Sequence, residues 1–276
     1  MSGAADRRLY GGSMRIATWN VNSLKARLER VTAWMAEARP DVLCLQETKL
    51  ADAAFPSAAF EALGYQSAHH GDGQWNGVAV VSRVGLDDVR PGFGGPADAA
   101  GCRLLAATCA GVRVHSVYVP NGRSVGSEHF EEKLRWFAAL RELLGSCCSP
   151  GDPIAVCGDV NVAPEDHDVW DPAALVGSTH VTVEERQALA DLCSWGLVDA
   201  FRLHQPDAGI YSWWDYRGGS FHRRQGMRID LVLVSQPLAE RVSWALVDRN
   251  ERKGAQPSDH APVLVDIACA EPVPAR

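Results

Sequence analysis

"DVLCLQETK", residues 41–49, is a short apolar run that ends abruptly in polar residues. A continuous apolar run of this length predicts a strand that is buried on both faces. Runs of the same kind recur along the chain: "RIATWN", "GVAVVSR", "RLLAATC", "VRVHSVYV", "PIAVCGDVN", "MRIDLVLVS" and "APVLVDIA". The chain is therefore rich in core strands.

Helical patterns are fewer and lie at uneven intervals between these runs. Leu24, Leu28, Val31 and Met35 recur at helical spacing, and "ARP" at 38–40 ends that helix. Further helices are predicted from Ser127 to Leu144 and near Glu184 to Trp195. Many strands with few helices predict an α/β fold with a four-layer sandwich, in which two stacked mixed β-sheets are flanked by helices. A regular doubly wound sheet fits less well, and no P-loop or Rossmann glycine motif is present.

The ends of the chain differ from its body. Residues 1–13 are small, polar and glycine-rich, which predicts a disordered tail, and a second tail is predicted at 271–276. Residues 14–270 are expected to form one domain. No apolar stretch reaches the length of a membrane span and the start lacks a signal-peptide core, so we expect a cytoplasmic protein without membrane contact. The eight cysteines show no CxxC pair and are interpreted as reduced thiols, most of them in the core.

The charge pattern sets an expectation about partners. A formal charge of −7 argues against nonspecific coating of nucleic acid. Four arginines nevertheless cluster without an acidic residue among them: Arg217, Arg223, Arg224 and Arg228. A local positive patch on an acidic body is one interpretation, and ordinary solvated surface is the other. Nothing in the sequence argues for an oligomer, so a monomer is expected.

Acids, amides and one histidine recur at the ends of the apolar runs. They are Asn20 and Asn22, Gln46 and Glu47, Tyr118 and Asn121, Asp159 and Asn161, Asp230, and the pair Asp259 and His260 in "PSDHAPV". If the strand ends meet at one rim of a sandwich, these side chains converge there. Because several separate segments repeat the arrangement, a functional site is the better explanation.

Such a set suits the hydrolysis of a phosphate ester. A hard cation such as Mg²⁺ prefers oxygen ligands, and Glu47 is the first choice for that role. Asp159, with Asn161 beside it, suits the orientation and deprotonation of a water molecule.

Charge that develops on phosphoryl oxygens needs hydrogen-bond donors aimed at it. The candidate donors are His260, Asn161, Asn20 and Tyr118. A histidine in this role works best when a carboxylate holds its other ring nitrogen, and Asp230 is the candidate partner. Asp259 should point elsewhere and be free to serve the metal or its waters.

Each of these residues also has a structural explanation. "GD" is commonly a turn, and "SDH" could be an Asx-turn that leads into a strand. Asp230 is different, because it interrupts an apolar run and a buried carboxylate needs a partner. His69 and His70 have no acidic neighbours in register, and no role is assigned to them.

Together the motifs resemble the exonuclease III family of the endonuclease/exonuclease/phosphatase superfamily. They are "WNVNSLKAR", "DVLCLQETK", "GVAVVSR", "YVPNG", "GDVNVAPEDHDVWDP", "SWWDYR", "RIDLVLVS" and "PSDHAPV", and they occur in the family's order over nearly the whole chain after Met14. "QE", "GDxN" and "SDH" alone would indicate only the superfamily, which also contains lipid and inositol phosphoesterases. "QETK", "SWWDYR" and "RID" narrow the resemblance to the exonuclease III branch.

The resemblance implies Mg²⁺-dependent hydrolysis of DNA phosphodiesters, with Mn²⁺ as a substitute cation. The substrates would be double-stranded DNA with abasic sites, cut on their 5′ side, or with 3′ ends. By matching motifs, Glu47 would bind metal, Tyr118 would contact the scissile phosphate, and Asp159 would activate water. Asn161 would support Asp159, and Asp230 and His260 would form the carboxylate–histidine pair. Asp259 would lie near the metal, and Asn20 would complete the hydrogen-bond network.

The resemblance also implies a DNA-binding surface. Trp213 would pack against an extruded abasic sugar, and Met227 would wall the same pocket. The remaining candidate DNA contacts are Arg217, Arg223, Arg224, Asn121 and Lys133. Asn22 is assigned to the metal site, although it stands where some family members carry an aspartate, so one carboxylate is missing.

Two other classes of function remain open from the sequence. A phosphoesterase acting on lipid headgroups or small esters would lack the arginine loop, which carries Arg217, Arg223 and Arg224, and the pocket tryptophan, Trp213. A non-enzymatic DNA-binding protein would have lost one of Glu47, Asp159, Asp230 or His260, and none is lost.

Overall fold

The computed structural model describes residues 12–269, and these form two mixed six-stranded sheets. The first sheet has the strand order β11-β12-β1-β2-β4-β3. Its strands are β1 (Ser13–Asn20), β2 (Val42–Gln46), β3 (Gln66–His70), β4 (Val78–Ser82), β11 (Val242–Val247) and β12 (Val263–Ala268). The second sheet has the order β5-β6-β7-β8-β10-β9. Its strands are β5 (Asp87–Pro91), β6 (Leu104–Cys109), β7 (Val112–Tyr118), β8 (Ile154–Asp159), β9 (Leu197–Asp199) and β10 (Asp230–Ser235).

The α-helices lie outside the sheets. They are α1 (Leu24–Ala38), α2 (Ser57–Glu61), α3 (Glu128–Cys147), α4 (Val183–Cys193) and α5 (Gln236–Ala239). Short 3-10 helices occupy Asp52–Ala54, Pro96–Ala100, Asp166–Asp168, Arg217–Gly219 and Arg249–Arg252. None of the helices within residues 12–269 is both long and apolar enough to span a bilayer.

Three apolar clusters separate the layers. Alternate residues of the core strands, such as Ile16 and Val114, fill the space between the two sheets. The opposite face of the first sheet, including Trp19, packs against α1 and α2. The opposite face of the second sheet packs against α3 and α4. The predicted four-layer sandwich is confirmed, since strands covered on both faces read as continuous apolar runs.

The element boundaries differ slightly from the prediction. The helix expected from Ser127 to Leu144 extends to Cys147, with Ser127 as its N-cap, and the helix expected near Glu184 to Trp195 ends at Cys193. The predicted tail at 1–13 lies outside the described residues except at its end, where Ser13 already pairs with Ala268. The tail at 271–276 lies outside them entirely. All eight cysteines are free, but only Cys44, Cys109 and Cys157 are buried, so the expectation that most are core residues is wrong.

Strand direction brings the polar ends to one rim. β1 runs parallel to β2 with Asn20 beside Gln46, and β7 runs parallel to β8 with Tyr118 beside Asp159. β10 is antiparallel to β8, so its first residue, Asp230, lies opposite Asp159. β12 is antiparallel to β1, which places the segment before it at the same rim. The convergence expected from the sequence is therefore present.

Candidate active site

Asn20 connects the acidic residues at the centre of the rim. Its buried side-chain amide donates to Glu47 Oε1 and to Asp159 Oδ2, each at 2.9 Å. The side-chain oxygen of Asn20, Oδ1, accepts the backbone N–H of Asn22 at 3.0 Å, and this bond fixes the orientation of the side-chain amide. Two carboxylates from different sheets are thereby held face to face.

Asp159 is the last residue of β8, and its Oδ1 accepts the backbone N–H of Asn161 at 2.9 Å in an Asx-turn. Gly158 before it lies within the strand, and a Cβ there would come within 1.8 Å of the Val117 carbonyl oxygen. The glycine allows β8 to approach β7 closely, and Asp159 combines the turn chemistry expected of "GD" with a place at the rim. Burial raises the pKa of Asp159 to about 7, although the nearby cationic ring of His260 opposes the shift.

His260 forms the predicted pair with Asp230. Its Nδ1 lies 2.8 Å from Asp230 Oδ2, and its Nε2 lies 3.7 Å from Asp159 Oδ2. Burial would lower the pKa of His260, but the carboxylates of Asp230 and Asp159 outweigh it and raise the pKa to about 10. The ring is therefore a cation at neutral pH, with Nε2–H as a donor towards Asp159 and the rim.

"PSDHAPV" serves structure as well as chemistry. Ser258 Oγ donates to the Asn20 carbonyl at 2.7 Å and accepts the His260 backbone N–H at 3.2 Å. Trp19 Nε1 donates to the His260 carbonyl at 3.2 Å. The hydroxyl of Ser258 thus makes the local turn, and the turn docks His260 against the end of β1.

Both carboxylate oxygens of Asp259 accept a hydrogen bond, and its assignment to the metal or its waters stays a prediction. Its Oδ1 accepts from Asn22 Nδ2 at 3.0 Å, and its Oδ2 accepts from Trp213 Nε1 at 3.1 Å. Asn22 is engaged as well, because its Oδ1 accepts from Lys49 Nζ at 2.5 Å. Lys49 also lies 2.9 Å from Glu47 Oε2. The lysine of "QETK" therefore neutralises part of the acidic site, a role that sequence reasoning missed.

A divalent cation fits part of this donor set. Donor atoms of Glu47, Asp159 and His260 lie within 4.8 Å of one another, and no other such group, with Asp259 or otherwise, occurs within residues 12–269. Mg²⁺ takes oxygen ligands in preference to a ring nitrogen, so His260 is the least suitable member of this group. The carboxylate oxygens of Glu47 and Asp159 are the hard donors that Mg²⁺ requires.

Tyr118 lies next to the acidic residues as a neutral phenol. Burial and the negative charge of Glu47 raise the pKa of Tyr118 well above its ordinary value, so the hydroxyl keeps its proton. The guanidinium of Arg103 stacks over the ring at 4.5 Å from its centroid. Tyr118 is thus a rigidly held donor at the rim.

The two tryptophans of "SWWDYR" have different environments. Trp214 is 1% exposed and packs edge-on against Phe221, as expected for the core member of the pair. Trp213 is half-buried and forms backbone bridges to Met227 and His260. Trp213 and Met227 therefore lie together near His260, with Met227 buried in a small apolar cluster against which Trp213 packs, and the pocket stays a prediction.

The arginine loop is exposed, but not all of its charge is free. Arg217 makes an ion pair with Asp215 at 2.8 Å, and Arg223 donates to the Gly218 carbonyl. Arg224 is exposed at a backbone φ of 58°. Arg228, which we grouped with them by sequence, is instead buried against Asp168 and Asp199.

The assignment of Lys133 to DNA contact is wrong. Its side chain is fully buried and forms an ion pair with Glu185, so it cannot reach a ligand at the surface. Asn121 is exposed at the rim, and its Nδ2 donates to Asn161 Oδ1 at 3.3 Å. Asn121 thus remains a candidate DNA contact.

His69 has the acidic partner that the sequence did not show. Its Nδ1 lies 2.8 Å from Asp52, and its Nε2 lies 2.8 Å from the hydroxyl of Thr48, next to Glu47. Asp52 comes from a 3-10 turn and not from a neighbouring strand, so strand register gave no indication of the contact.

Comparison with known proteins agrees with this geometry. The sequence profile of the Endonuclease/Exonuclease/phosphatase family matches residues 17–260. The chain belongs to this family. Exodeoxyribonuclease III of Haemophilus influenzae is 35% identical over 269 residues, covering 92% of this chain and 100% of that protein.

Solved structures of family members superpose closely on this chain. An AP endonuclease from Archaeoglobus fulgidus gives a TM-score of 0.89 at 37% identity, covering 92% of this chain and 99% of that one. A 3′ phosphatase from Neisseria, solved with a product DNA hairpin, gives 0.87 at 40% identity with the same coverage.

Proposed function

We propose that the protein is a metal-dependent DNA repair nuclease, which hydrolyses phosphodiesters of duplex DNA at abasic sites, at 3′ ends or at both. The observation that carries the proposal is the convergence of Asp159, protonated His260 and Glu47 at one rim. Relatives named exodeoxyribonuclease III, AP endonuclease and 3′ phosphatase support it.

Different side chains would have different roles in an in-line displacement at phosphorus. Asp159 orients a water molecule and accepts its proton, while the amides of Asn20 and Asn161 hold the carboxylate in place. His260 and Tyr118 donate to the phosphoryl oxygens, where negative charge develops in the transition state. Asp230 keeps the His260 ring charged and oriented.

Glu47 and Asp159 would hold the cation. When bound, Mg²⁺, or Mn²⁺ in its place, supplies positive charge that stabilises the phosphoryl and leaving oxygens. Lys49 already lies against Glu47 and would have to shift or share that carboxylate.

Substrate selection would rest on the pocket and the arginine loop. Trp213 and Met227 would form a wall that receives a nucleotide lacking its base, because extrusion costs least where the base is missing. Asn121, Arg223 and Arg224 would hold backbone phosphates on either side. We further propose one catalytic domain over 14–270 and a monomeric, cytoplasmic enzyme.

The direct test incubates the protein and Mg²⁺ with two labelled duplexes, one with an abasic-site analogue and one with a recessed 3′ end. Product lengths then decide between the activities. A single cut on the 5′ side of the lesion identifies an AP endonuclease, and a ladder from the 3′ end identifies an exonuclease. Loss of either product with a chelator, and in Asp159→Asn, assigns the cleavage to this site. Hydrolysis of small phosphate esters without DNA cleavage would contradict the proposal.

The cation site has its own test. Glu47→Ala should raise the Mg²⁺ concentration required for half-maximal rate, because one of two carboxylate ligands is lost. Asp266→Ala, which removes a carboxylate paired with Arg15 near the opposite end of β1 from Asn20, is the matched control. An unchanged Mg²⁺ titration in Glu47→Ala would remove Glu47 from the ligand set.

A further inference from the structure

Helices α3 and α4 meet at a buried ion pair beneath the site. Lys133 of α3 and Glu185 of α4 are both fully buried, and the lysine nitrogen contacts the Glu185 carboxylate directly. The other carboxylate oxygen of Glu185 accepts from the N–H and the hydroxyl of Thr182, which caps α4. Glu185 is thus held by the start of its own helix.

The ammonium group of Lys133 is aimed at the catalytic loops. It donates to the backbone carbonyl of Asn161 at 2.7 Å and to that of Asn121 at 3.3 Å, and His180 Nδ1 lies 3.5 Å away. Glu185 and these two carbonyls give the three N–H groups one oxygen partner each.

Stability alone does not explain this pair. Removing two charges from water costs several kcal/mol per ion, and apolar replacements of similar volume are often as stable or more so. An apolar pair, however, could not donate to the two carbonyls. What Lys133 adds to packing is the position of the peptide groups of Asn161 and Asn121.

The backbone of Asn161 connects this lysine to Asp159, because its carbonyl and its N–H lie on successive peptide groups. Asn161 has a left-handed backbone with φ 53°, and its N–H donates to Asp159 Oδ1 at 2.9 Å. Its side chain donates to the Val119 carbonyl at 2.9 Å and accepts from Asn121. If the Asn161 carbonyl lost its donor, the unusual backbone and the N–H that holds Asp159 would be less well fixed.

We propose that Lys133, held by Glu185, is a positioning residue: it fixes the Asn161 backbone through its carbonyl and, through the Asn161 N–H, the Asp159 carboxylate. The effect on turnover rests on the proposed function, whereas the effect on the Asn161 backbone does not. Single removal of either charge would leave the other buried and unpaired, so the test removes both.

The test compares the double variant Lys133→Met/Glu185→Leu with the wild type. A matched control is Arg15→Met/Asp266→Leu, which removes a charge pair at the other end of β1. We expect the double variant to lose about 100-fold in kcat with little change in KM, since a small misplacement of catalytic groups has effects of that size. Hydrogen exchange in the segment 159–163 should be faster, while the control matches the wild type in both measurements.

Three other results are decisive. Unchanged exchange in 159–163, with or without a loss of kcat, would overturn the proposal. A rise in KM at constant kcat would also overturn it, because the pair would then act on DNA binding. If the wild type cleaves no DNA, the proposed function fails, and faster exchange in 159–163 still supports the positioning role.

Lys133→Met/Glu185→Gln covers the case in which the first double variant does not fold. It keeps an acceptor for Thr182 and removes both charges together with the donor to the Asn161 carbonyl. About a 10-fold loss of kcat at constant KM, of the size expected for a partly misplaced catalytic group, would support the proposal. Wild-type kcat and exchange would overturn it.

Discussion

His260 is the residue whose removal should affect turnover most selectively. Its charged ring contributes where negative charge develops, so its contribution is made mainly in the transition state. We expect His260→Ala to lower kcat about 100- to 1000-fold, as for other donors of this kind, with little change in DNA affinity. Steady-state kinetics and a binding titration check this, and near-normal turnover would contradict the assigned role.

The same residue predicts how stability depends on pH. The folded-state pKa of His260 is raised to about 10, from an ordinary value of about 6.5. The stability from its ion pairs is therefore fully present below about pH 6.5 and is lost as pH rises towards 10. Urea unfolding of wild type and His260→Gln, in chelator, should show a stability difference that shrinks over this interval. A difference that stays constant would mean that the ring does not titrate in this range.

Some residue contacts followed from the sequence and others did not. The Asp230–His260 pair could be predicted, because a carboxylate inside an apolar run needs a partner. Lys133 was misplaced, since lysine is rarely buried. Its helical position contradicted that expectation: Phe130, Lys133 and Phe137 lie on the buried face of α3.

The strands also divide into those that could be predicted from the sequence and those that could not. The eight that the sequence revealed are the interior strands, and the remaining four, β3, β5, β9 and β11, are the edges of the two sheets. Interior strands are covered on both faces and are continuously apolar, whereas all of β5 is exposed and β3 has no buried residue. An exposed edge needs no apolar run, so periodicity alone could not identify it.

Arg228, in the short segment before β10, is a residue whose replacement should lower the free energy of unfolding strongly. Arg228 is 1% exposed and bonds to Asp168, a fully buried carboxylate that Arg202 also contacts. Arg228→Met should cost about 3–5 kcal/mol in the free energy of unfolding, because a buried charge loses a partner. Arg202→Met, at a more exposed arginine on the same carboxylate, should cost less.

The stability lost in Arg228→Met should depend on pH in the opposite direction to the stability lost in His260→Gln. Burial would raise the pKa of Asp168, but its bonds to Arg228 and Arg202 lower it below the ordinary value. Its stabilising contribution is present above about pH 4 and is lost as pH falls through the lowered pKa. The difference between wild type and Arg228→Met should therefore narrow in acid, and a difference that widens in acid would contradict this account.

Over the whole molecule, a body with a formal charge of −7 must bind a polyanion through local charge. The arginine loop supplies such charge beside the pocket, although Asp215 neutralises part of Arg217. The sequence predicted the loop but not this pairing, because the partner precedes the basic stretch.

The salt dependence of DNA binding measures how much of that charge is used. Each phosphate contact contributes about 0.9 to the slope of log K against log salt, so Arg223→Gln/Arg224→Gln should lower the slope by about 2. Arg217→Gln should change it less, because that arginine already shares its charge with Asp215. Arg141→Gln, on the exposed face of α3 towards its C-terminal end, is the control. Binding is measured in the inactive Asp159→Asn background, and equal slopes in all variants would show that the loop does not contact DNA phosphates.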